Sequence, residues 1–397
     1  MSRTFAHLLE RAAGADGLVV AGCLSGTSMD GIDVALARGW LRGTQPTVEL
    51  LAARTVPFEP ALGERLARAA SGAPSTAREF ALLDRDLGSA IAAAVAGSAA
   101  EAGVTVDLVA SHGQTLGHHD GESASEPDGG APWTLQVGDP DRIAEVLGAA
   151  VAFDFRRSDV AGGGEGAPLV PFVDGALFAR APRPAAVLNL GGIANLTWLG
   201  LAAEAQEEHR AGFDVGPANL WLDGFARRLL ELPYDPGGAA AARGSVDERL
   251  AMQWLAEPFY RRAPPKSTGR DTFDASWIEA RLAEGAGRSA ADLLATASAV
   301  VARSVADAAR RWLPGGPPVW IVAGGGWHHR PLVAELERAT GLPAQPADRF
   351  GVPVDAREAL AFALLGLLTL GEVPVAVAAV TGGGRPRVLG RLVPARP

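Results

Sequence analysis

The sequence has 397 residues, of which 48% are hydrophobic and 20% are charged, and its formal net charge is -9. A chain of this length usually forms two domains, and the composition is that of a folded globular protein rather than a disordered one. The negative charge disfavours nucleic acid or an anionic membrane as the main partner. A single cysteine, Cys23, excludes an intrachain disulfide and a metal cluster held by thiolates.

Membrane insertion and export are not expected from the sequence. Residues 1–17 carry charges throughout and lack the apolar core of a signal peptide. The longest apolar run, around residues 360–370, is too short to span a bilayer and is predicted to form a buried helix. We therefore expect a soluble, cytoplasmic protein.

Predicted strands and helices alternate along the first part of the chain. The strands are predicted at 18–22, 33–38, 47–54, 107–110 and 149–153, and the helices at 62–70, 76–102 and 140–148. Asp139 is positioned to cap the last of these helices. Residues 118–131 are polar and rich in glycine, which predicts a surface loop.

The second part of the chain repeats this alternation. Strands are predicted at 185–190, 194–199 and 319–323, and helices at 218–230, 247–257, 273–283, 289–312, 330–340 and 355–370. Each part opens with a strand, a turn of small residues and another strand. The pattern predicts an α/β protein with a duplicated fold.

The first of these turns, within GCLSGTSMDGID, has a composition suited to binding phosphate. A tight glycine-bearing turn exposes consecutive backbone N–H groups, which bind anions, and Ser25, Thr27 and Ser28 add hydroxyl donors. Asp30 and Asp33 fit such a site if Mg²⁺ or its water lies between them and the phosphate. The loop is not a Walker loop, because no Gly-Lys-Ser/Thr follows. An ordinary hairpin with a hydrophilic turn explains the same residues, and the residues alone leave both readings open.

Six blocks of sequence carry a resemblance to a known family. They are GCLSGTSMDGID at 22–33, SHGQT at 111–115, DFRRSDVAGGGEGAPLVP at 154–171, NLGGIANLT at 189–197, FDVGPAN at 213–219 and PKSTGRDTF at 265–273. Two later pieces, VAGGGW at 322–327 and REALAFALLG at 357–366, also fit. The blocks stand in the family's order and span nearly the whole chain. With them, the sequence resembles the anhydro-N-acetylmuramic acid kinases of peptidoglycan recycling.

The resemblance implies an actin/hexokinase/heat-shock-chaperone-like fold, in which two similar α/β domains of ribonuclease-H-like architecture hold ATP and a sugar in an interdomain cleft. The domains would be residues 1–150, with 372–397 as a candidate addition, and residues 151–371. The resemblance also implies a kinase that uses ATP and Mg²⁺. Such an enzyme opens the 1,6-anhydro bridge of the sugar with water and phosphorylates O6, giving N-acetylmuramate 6-phosphate and ADP. The family further suggests a homodimer.

Two carboxylates are carried over as catalytic residues by resemblance. Asp214 would take a proton from the water that attacks the anomeric carbon, and Glu358 would assist. From the residues alone, Asp214 also fits an Asx turn that holds its own backbone. Glu358 also fits a first-turn glutamate favoured by the helix dipole.

Three loops would hold the nucleotide by the same resemblance. Their residues are Ser25, Gly26, Thr27, Ser28, Met29, Asp30, Gly31, Ile32 and Asp33 in the first hairpin, Asn189, Gly191 and Gly192 in the second, and Gly324, Gly325 and Gly326 beside the adenosine. Asp30 is the candidate ligand of Mg²⁺, through a metal-bound water.

The expected contacts to the sugar are Gln114, Asp154, Arg156 and Asp159. Arg156 and Arg157 can fork onto the lactyl carboxylate, and the two aspartates can accept sugar hydroxyls. Salt bridges among these charges explain them equally well.

Several further residues depart from the family pattern or have no assigned role. Glu165 stands where the family has glutamine, and Asp174 where some members have histidine, which leaves the fine sugar specificity open. His112 is expected to be structural, and the pairs His118-His119 and His328-His329 are expected at the surface. Lys266 and Arg270 would support either the nucleotide or a dimer surface.

Two other functions fit the same scaffold. One is a sugar kinase that acts on an ordinary hydroxyl, which turnover of plain N-acetylmuramate or glucose without turnover of the anhydro-sugar would indicate. The other is a non-catalytic, nucleotide-dependent regulatory protein, which binding of ATP without any phosphorylated sugar would indicate.

Overall fold

The computed structural model of the chain describes residues 3–26, 29, 31–121, 130–200, 211–269, 272–317 and 319–396. The chain divides into two compact units. Unit 1 comprises Met1–Ala179, Ala356–Ala378 and Gly382–Pro397, and unit 2 comprises Arg180–Asp355 and Ala379–Thr381. Among the described residues, no helix has both the length and the apolar character needed to cross a membrane.

The strands and helices are numbered in chain order. The strands are β1 Leu18–Ser25, β2 Gly31–Arg42, β3 Gln45–Pro57, β4 Leu108–His119, β5 Trp133–Val137, β6 Ala150–Phe153, β7 Ala185–Leu190, β8 Ile193–Leu199, β9 Gly212–Pro217, β10 Trp320–Ala323, β11 Ala344–Pro346 and β12 Arg391–Val393. The helices are α1 Arg3–Ala13, α2 Pro60–Ala70, α3 Ala77–Ala102, α4 Pro140–Leu147, α5 Arg157–Val160, α6 Pro171–Leu177, α7 Asn219–Leu229, α8 Glu248–Trp254, α9 Pro258–Arg261, α10 Ala275–Glu284, α11 Ala290–Trp312, α12 Arg330–Thr340, α13 Arg357–Leu370 and α14 Ala378–Thr381.

Unit 1 is built on a sheet with the strand order β12-β6-β4-β1-β2-β3, and β5 pairs with β4 beside it. Strands β1, β2 and β3 form an antiparallel meander, whereas β4 runs parallel to β1 and β6 runs parallel to β4. Helix α3 supplies Leu87, Ile91 and Val95 to the buried apolar cluster that also contains side chains of β1 and β2. Helix α13 packs against β1, β2 and β4.

Helix α13 lies directly on the backbone of β1. A Cβ atom at Gly22 would overlap the carbonyl oxygen of Ala359 and lie 2.7 Å from the nitrogen of Ala363, so only glycine allows this approach. Further along the helix, a Cβ atom at Gly366 would lie 2.6 Å from the Cβ of Ala110 on β4. After its first two residues the helix is buried on nearly all sides, which agrees with an almost entirely apolar sequence from Ala359 onward.

Unit 2 repeats the strand order of unit 1. Its sheet runs β11-β10-β7-β8-β9, in which β7, β8 and β9 form an antiparallel meander and β10 and β11 follow in parallel. The matching order in unit 1 is β6-β4-β1-β2-β3. Its core includes Trp221 and Trp254 packed edge to face, together with Leu294 and Val301 of α11. The predicted α/β architecture with a duplicated fold is confirmed.

The division into units differs from the expected domains. The expected boundary followed residue 150, but residues 151–179 lie in unit 1, where α5 contacts β5 and α6 contacts β3 and α13. Helix α13 was expected in the second domain, and it lies in unit 1 because it packs on β1 at Gly22. Strand β12, within the candidate addition 372–397, pairs with β6 of unit 1.

Helices α6 and α13 are joined by a buried ion pair. Arg357 is 1% exposed and Asp174 is completely buried, and the guanidinium meets the carboxylate with two hydrogen bonds, of which Nε donates to Oδ1 at 2.9 Å. A bidentate pair of this kind fixes both side chains, and either charge left alone in the interior would be costly. Asp174 therefore anchors the first turn of α13, where Glu358 lies.

We predict that Asp174→Asn lowers the free energy of unfolding by ~3–5 kcal/mol, because it leaves the Arg357 guanidinium buried without its counter-charge. Chemical denaturation measures the change. The matched control is Arg68→Ala, which breaks the exposed pair with Glu79 and should cost less than ~1 kcal/mol. Equal effects of the two substitutions would contradict this assignment.

Candidate active site

One row of residues crosses the sheet of unit 2 in register. Ala323 at the end of β10 pairs with Asn189 on β7, Asn189 pairs with Asn195 on β8, and Asn195 pairs with Asp214 on β9. Adjacent strands lie ~4.8 Å apart, so the row spans ~14 Å from Ala323 to Asp214. The row thus links the expected adenosine loop, the second phosphate loop and the expected catalytic aspartate.

Asp214 is held in place by the main chain of another segment. Its side chain is 6% exposed, its N–H donates to the carbonyl of Lys266 at 3.1 Å, and its Oδ2 accepts the N–H of Thr268 at 3.0 Å. The hydroxyls of Ser267 and Thr268 are buried and have no hydrogen-bond partner among the described residues. A fixed carboxylate beside two unpaired hydroxyls is an arrangement suited to a polar ligand.

The turn at Gly191 and Gly192 is tied to the start of α7. The carbonyl of Gly191 accepts the N–H of Asn219 at 3.0 Å, and the carbonyl of Gly192 accepts the N–H of Ala218 at 2.8 Å. The side chain of Asn219 donates in turn to the carbonyl of Leu190 at 3.0 Å. These bonds fix the end of β7 relative to the beginning of α7.

The glycines after β10 pack against the end of β7. Gly324 has a φ of +85°, and its N–H donates to the carbonyl of Val354 at 2.7 Å. A Cβ atom at Gly324 would lie 2.8 Å from the backbone of Leu190, and one at Gly326 would lie 2.5 Å from the Cβ atom of Leu190. Gly325, between them, is exposed. Open parallel sheets bind ligands at the carboxyl ends of their strands, which is where these loops lie.

The first hairpin belongs to unit 1, and part of it can be described. Ser25 pairs with Gln114 on the neighbouring strand, and its buried hydroxyl has no hydrogen-bond partner among the described residues. The N–H of Met29, which has a φ of +56°, donates to the carbonyl of Gly26 at 3.2 Å. Thr27, Ser28 and Asp30 were also expected to bind the nucleotide, and they lie outside the described residues.

The far side of this hairpin packs into the protein. A Cβ atom at Gly31 would lie 2.5 Å from the carbonyl oxygen of Val56, and the side chain of Ile32 lies in the apolar core. Asp33 accepts a hydrogen bond from the hydroxyl of Thr55 at 2.5 Å. Within the described ranges, no group of three or more histidine, cysteine or acidic side chains is placed to hold a metal ion.

A continuous chain of polar side chains lies along β4 and β5 of unit 1, and we call it the polar chain. Its members, in order of contact, are Arg156, His112, Thr115, Gln136, Thr134 and His118. Arg156 Nη2 lies 3.1 Å from His112 Nε2, which lies 3.4 Å from Thr115 Oγ1. Gln136 Nε2 donates to Thr115 Oγ1 at 3.2 Å and to Thr134 Oγ1 at 2.7 Å, and the latter lies 3.1 Å from His118 Nδ1.

Both histidines of the polar chain are held neutral. Burial and the positive charge of Arg156 lower the pKa of His112 well below its usual value, and they lower that of His118 to about 3. Because Nε2 of His112 accepts from Arg156, its proton lies on Nδ1. That Nδ1, His118 Nε2 and Gln136 Oε1 are buried and find no hydrogen-bond partner in the described part of the chain. The polar chain thus offers donors and acceptors suited to uncharged hydroxyl or amide groups.

The charged residues after β6 have different surroundings. Asp154 has a φ of +57° and forms ion pairs with Arg157 at 3.6 Å and Arg391 at 3.4 Å, and burial raises its pKa. Asp159 is completely buried and accepts the N–H of Gly166 at 2.8 Å. Salt bridging is therefore observed for Asp154 and Arg157, while Asp159 holds the loop that ends at Gly166.

Two expectations about histidines are wrong. His119 is 3% exposed, its Nδ1 accepts the N–H of Gly121 at 3.1 Å, and its ring stacks on Trp133. His329 is 8% exposed and caps helix α12. Both lie inside because their rings serve backbone groups, whereas His328 is exposed as expected. The expected loop at 118–131 also begins later, because β4 continues to His119.

Sequence reasoning missed part of this site. Asn195 was not singled out, although it lies between Asn189 and Asp214 in the row. Thr134 and Gln136 were missed because β5 was not predicted. The alternation of polar and apolar residues in Thr134–Val137 was the available signal.

Comparisons with known proteins agree over almost the full chain. The family model described as anhydro-N-acetylmuramic acid kinase matches residues 18–395. Curated proteins of that name from Gloeobacter violaceus and Bordetella petrii are 40% and 43% identical to this chain. Each alignment covers 96% of this chain, with 100% and 97% of the relative. Among solved structures, a ROK family glucokinase from Streptomyces griseus in complex with glucose and AMPPNP aligns with 87% of this chain and 98% of its own, at 14% identity and a TM-score of 0.37.

We predict that acid destabilises the protein through His118. Its pKa is about 3 in the folded state and ~6.5 when unfolded, so the unfolded chain binds more protons between these values. The free energy of unfolding should fall as the pH falls below ~6.5, by up to ~1.4 kcal/mol per pH unit from this group. His118→Gln should remove the part of the pH dependence of the unfolding free energy that comes from this group. Denaturation measured between pH 4.5 and 7 gives this pH dependence. Exposed His328→Gln is the control, and parallel curves for wild type and His118→Gln would refute the prediction.

Proposed function

The chain belongs to the anhydro-N-acetylmuramic acid kinase family, and we propose that Asp214 is the general base of its reaction. The protein is an ATP-dependent kinase that opens 1,6-anhydro-N-acetylmuramic acid with water and phosphorylates O6, giving N-acetylmuramate 6-phosphate and ADP. One observation supports Asp214 above all. Its buried carboxylate is oriented by main-chain bonds, beside two hydroxyls without described partners.

The proposed reaction begins with Asp214 and water. Asp214 accepts a proton from the water as the water oxygen bonds to the anomeric carbon of the sugar. The bond from that carbon to the bridging oxygen breaks, and the oxygen, now O6, attacks the γ-phosphate of ATP while ADP leaves. General-base catalysis of this kind contributes typically ~10²–10⁴ in rate. Glu358, half-buried in the first turn of α13, is the proposed assisting carboxylate.

Each unit contains loops that are proposed to bind nucleotide. In unit 2, Asn189, Gly191 and Gly192 would face the phosphates, and Gly324, Gly325 and Gly326 the adenosine, since these residues lie at the carboxyl ends of β7 and β10. In unit 1, the hairpin Ser25–Asp33 would hold phosphate through its backbone N–H groups.

Magnesium is proposed to arrive with ATP. This ion keeps several waters and binds through one or two carboxylates together with phosphate oxygens. Such a site needs few protein ligands. Asp30, through a bound water, and Asp33 are the proposed carboxylates. When bound, the ion would neutralise charge on the transferred phosphate.

The sugar is proposed to bind the polar chain. The neutral donors and acceptors of its histidine, threonine and glutamine side chains suit the hydroxyl and acetamido groups. Its charged member Arg156, and Gln114 outside the polar chain, are proposed as further contacts. Asp154 would accept a sugar hydroxyl, whereas Asp159 would act by holding the loop at Gly166.

Dependence on ATP supports the cytoplasm as the place of action, and the family resemblance supports a homodimer.

We predict that Asp214→Asn lowers kcat by at least ~10², because it removes the base and keeps the shape of the side chain. The KM values for ATP and sugar should stay within a few-fold of wild type, since asparagine still accepts the Thr268 N–H. The assay quantifies N-acetylmuramate 6-phosphate by mass spectrometry. Turnover near that of wild type would end the assignment of Asp214 as base.

We predict that Gln136→Leu raises the KM for the anhydro-sugar by about tenfold, the loss expected when a buried polar contact worth ~1.4 kcal/mol is removed. The KM for ATP should not change. Gln45→Leu, an exposed glutamine on β3 of the same sheet, is the matched control. An unchanged KM for the sugar, or an equal rise for ATP, would show that the polar chain does not bind the substrate.

A further inference from the structure

Lys266 is the only lysine in the sequence, and the other 35 of its 36 basic residues are arginine. The side chain of this single lysine is completely buried. Ammonium groups are seldom buried without a specific partner, because the interior disfavours their charge. The single lysine of a chain whose other basic residues are all arginine therefore lies in the interior, where burial of its charge costs free energy.

The surroundings of Lys266 explain how the charge is tolerated. Its Nζ donates to the carbonyl of Phe259 at 3.1 Å and lies 4.6 Å from the centre of the Phe259 ring and 5.9 Å from that of Phe213. Aromatic faces attract a cation and replace part of its lost water. A compact ammonium fits this box, whereas the planar guanidinium of arginine brings five donors that need partners.

Lys266 is linked to Asp214 through both the backbone and the charge. The carbonyl of Lys266 accepts the N–H of Asp214 at 3.1 Å, and Thr268, two residues on, donates to the Asp214 carboxylate. Burial lowers the pKa of Lys266 to about 8, and the Asp214 charge opposes that shift. The positive charges of Arg262, after α9, and Arg311, on α11, also lower the pKa of Lys266. Tyr260, also buried nearby on α9, has its pKa raised by burial and stays neutral.

We infer that Lys266 is a positioning residue for Asp214. The ammonium of Lys266 keeps the buried carboxylate of Asp214 ionised and ready to accept a proton. The attraction between two charges is mutual, so a carboxylate that stabilises the ammonium is stabilised by it. Loss of the ammonium would shift the equilibrium of this carboxyl group toward the protonated acid, which cannot act as a base. This inference rests on the proposed role of Asp214 as general base.

The single lysine makes the coupling directly measurable. A sample labelled with ¹³C-lysine gives one Cε signal, whose position follows the protonation of Lys266 between pH 6 and 10. We expect a midpoint of about 8 in the wild type. In Asp214→Asn the midpoint should fall by about one unit, as for removal of an opposite charge nearby. This experiment needs no variant of Lys266, so it stands even if those variants fail to fold.

The second arm is kinetic. In Lys266→Met, the acid limb of kcat/KM should move to higher pH by the same amount as the NMR midpoint moved, because coupling between two sites is reciprocal. Activity should therefore drop about tenfold on the acid limb and much less above it, which a purely structural defect would not produce.

The outcomes separate the two ideas. Equal midpoints in wild type and Asp214→Asn would overturn the inference about Lys266. A shifted midpoint with an unmoved acid limb in Lys266→Met would confirm the coupling and overturn Asp214 as the base. Matching shifts in both arms support the two together.

Discussion

The attachment of Asp214 to the segment from Lys266 to Thr268 is the constraint on which the proposed chemistry depends. Two main-chain hydrogen bonds fix the backbone and the carboxylate of this aspartate within β9. Main-chain groups hold such a geometry better than flexible side chains do, and a general base must be placed within hydrogen-bonding distance of its proton. The same segment brings a buried ammonium into the neighbourhood of the carboxylate, together with two hydroxyls that have no hydrogen-bond partner among the described residues.

The duplicated strand order explains why both units offer ligand loops. In each unit, an antiparallel meander is followed by two parallel strands, so turns and strand ends gather at one edge of the sheet. The units then differ in chemistry. Unit 2 presents a carboxylate and glycine turns, while unit 1 presents a hydroxyl-bearing hairpin and the polar chain, whose histidines stay neutral. One scaffold thus supplies surfaces suited to charged phosphate and to uncharged sugar groups.

The sequence predicted most of the architecture, because strands such as β7 and helices such as α11 have clear periodicity and recognisable ends. It did not predict β5, which is short and partly exposed, nor that α13 belongs to unit 1. The latter depends on the contact between Gly22 and Ala359, which lie far apart in sequence. The roles of Asp214 and of the glycine turns are predictions from the family resemblance. The burial of Lys266 and His119 was missed, since local sequence does not reveal which polar side chains find partners inside.

In the proposed mechanism, water attacks the anomeric carbon while the bridging oxygen captures the phosphate. The most direct test runs the reaction of the anhydro-sugar with Mg-ATP in ¹⁸O water, with unlabelled product incubated in the same water as the exchange control. We predict one ¹⁸O atom in the product, at C1, and no isotope shift of its ³¹P signal. An ¹⁸O isotope shift of the phosphorus, or phosphorylated product without label at C1, would contradict this mechanism.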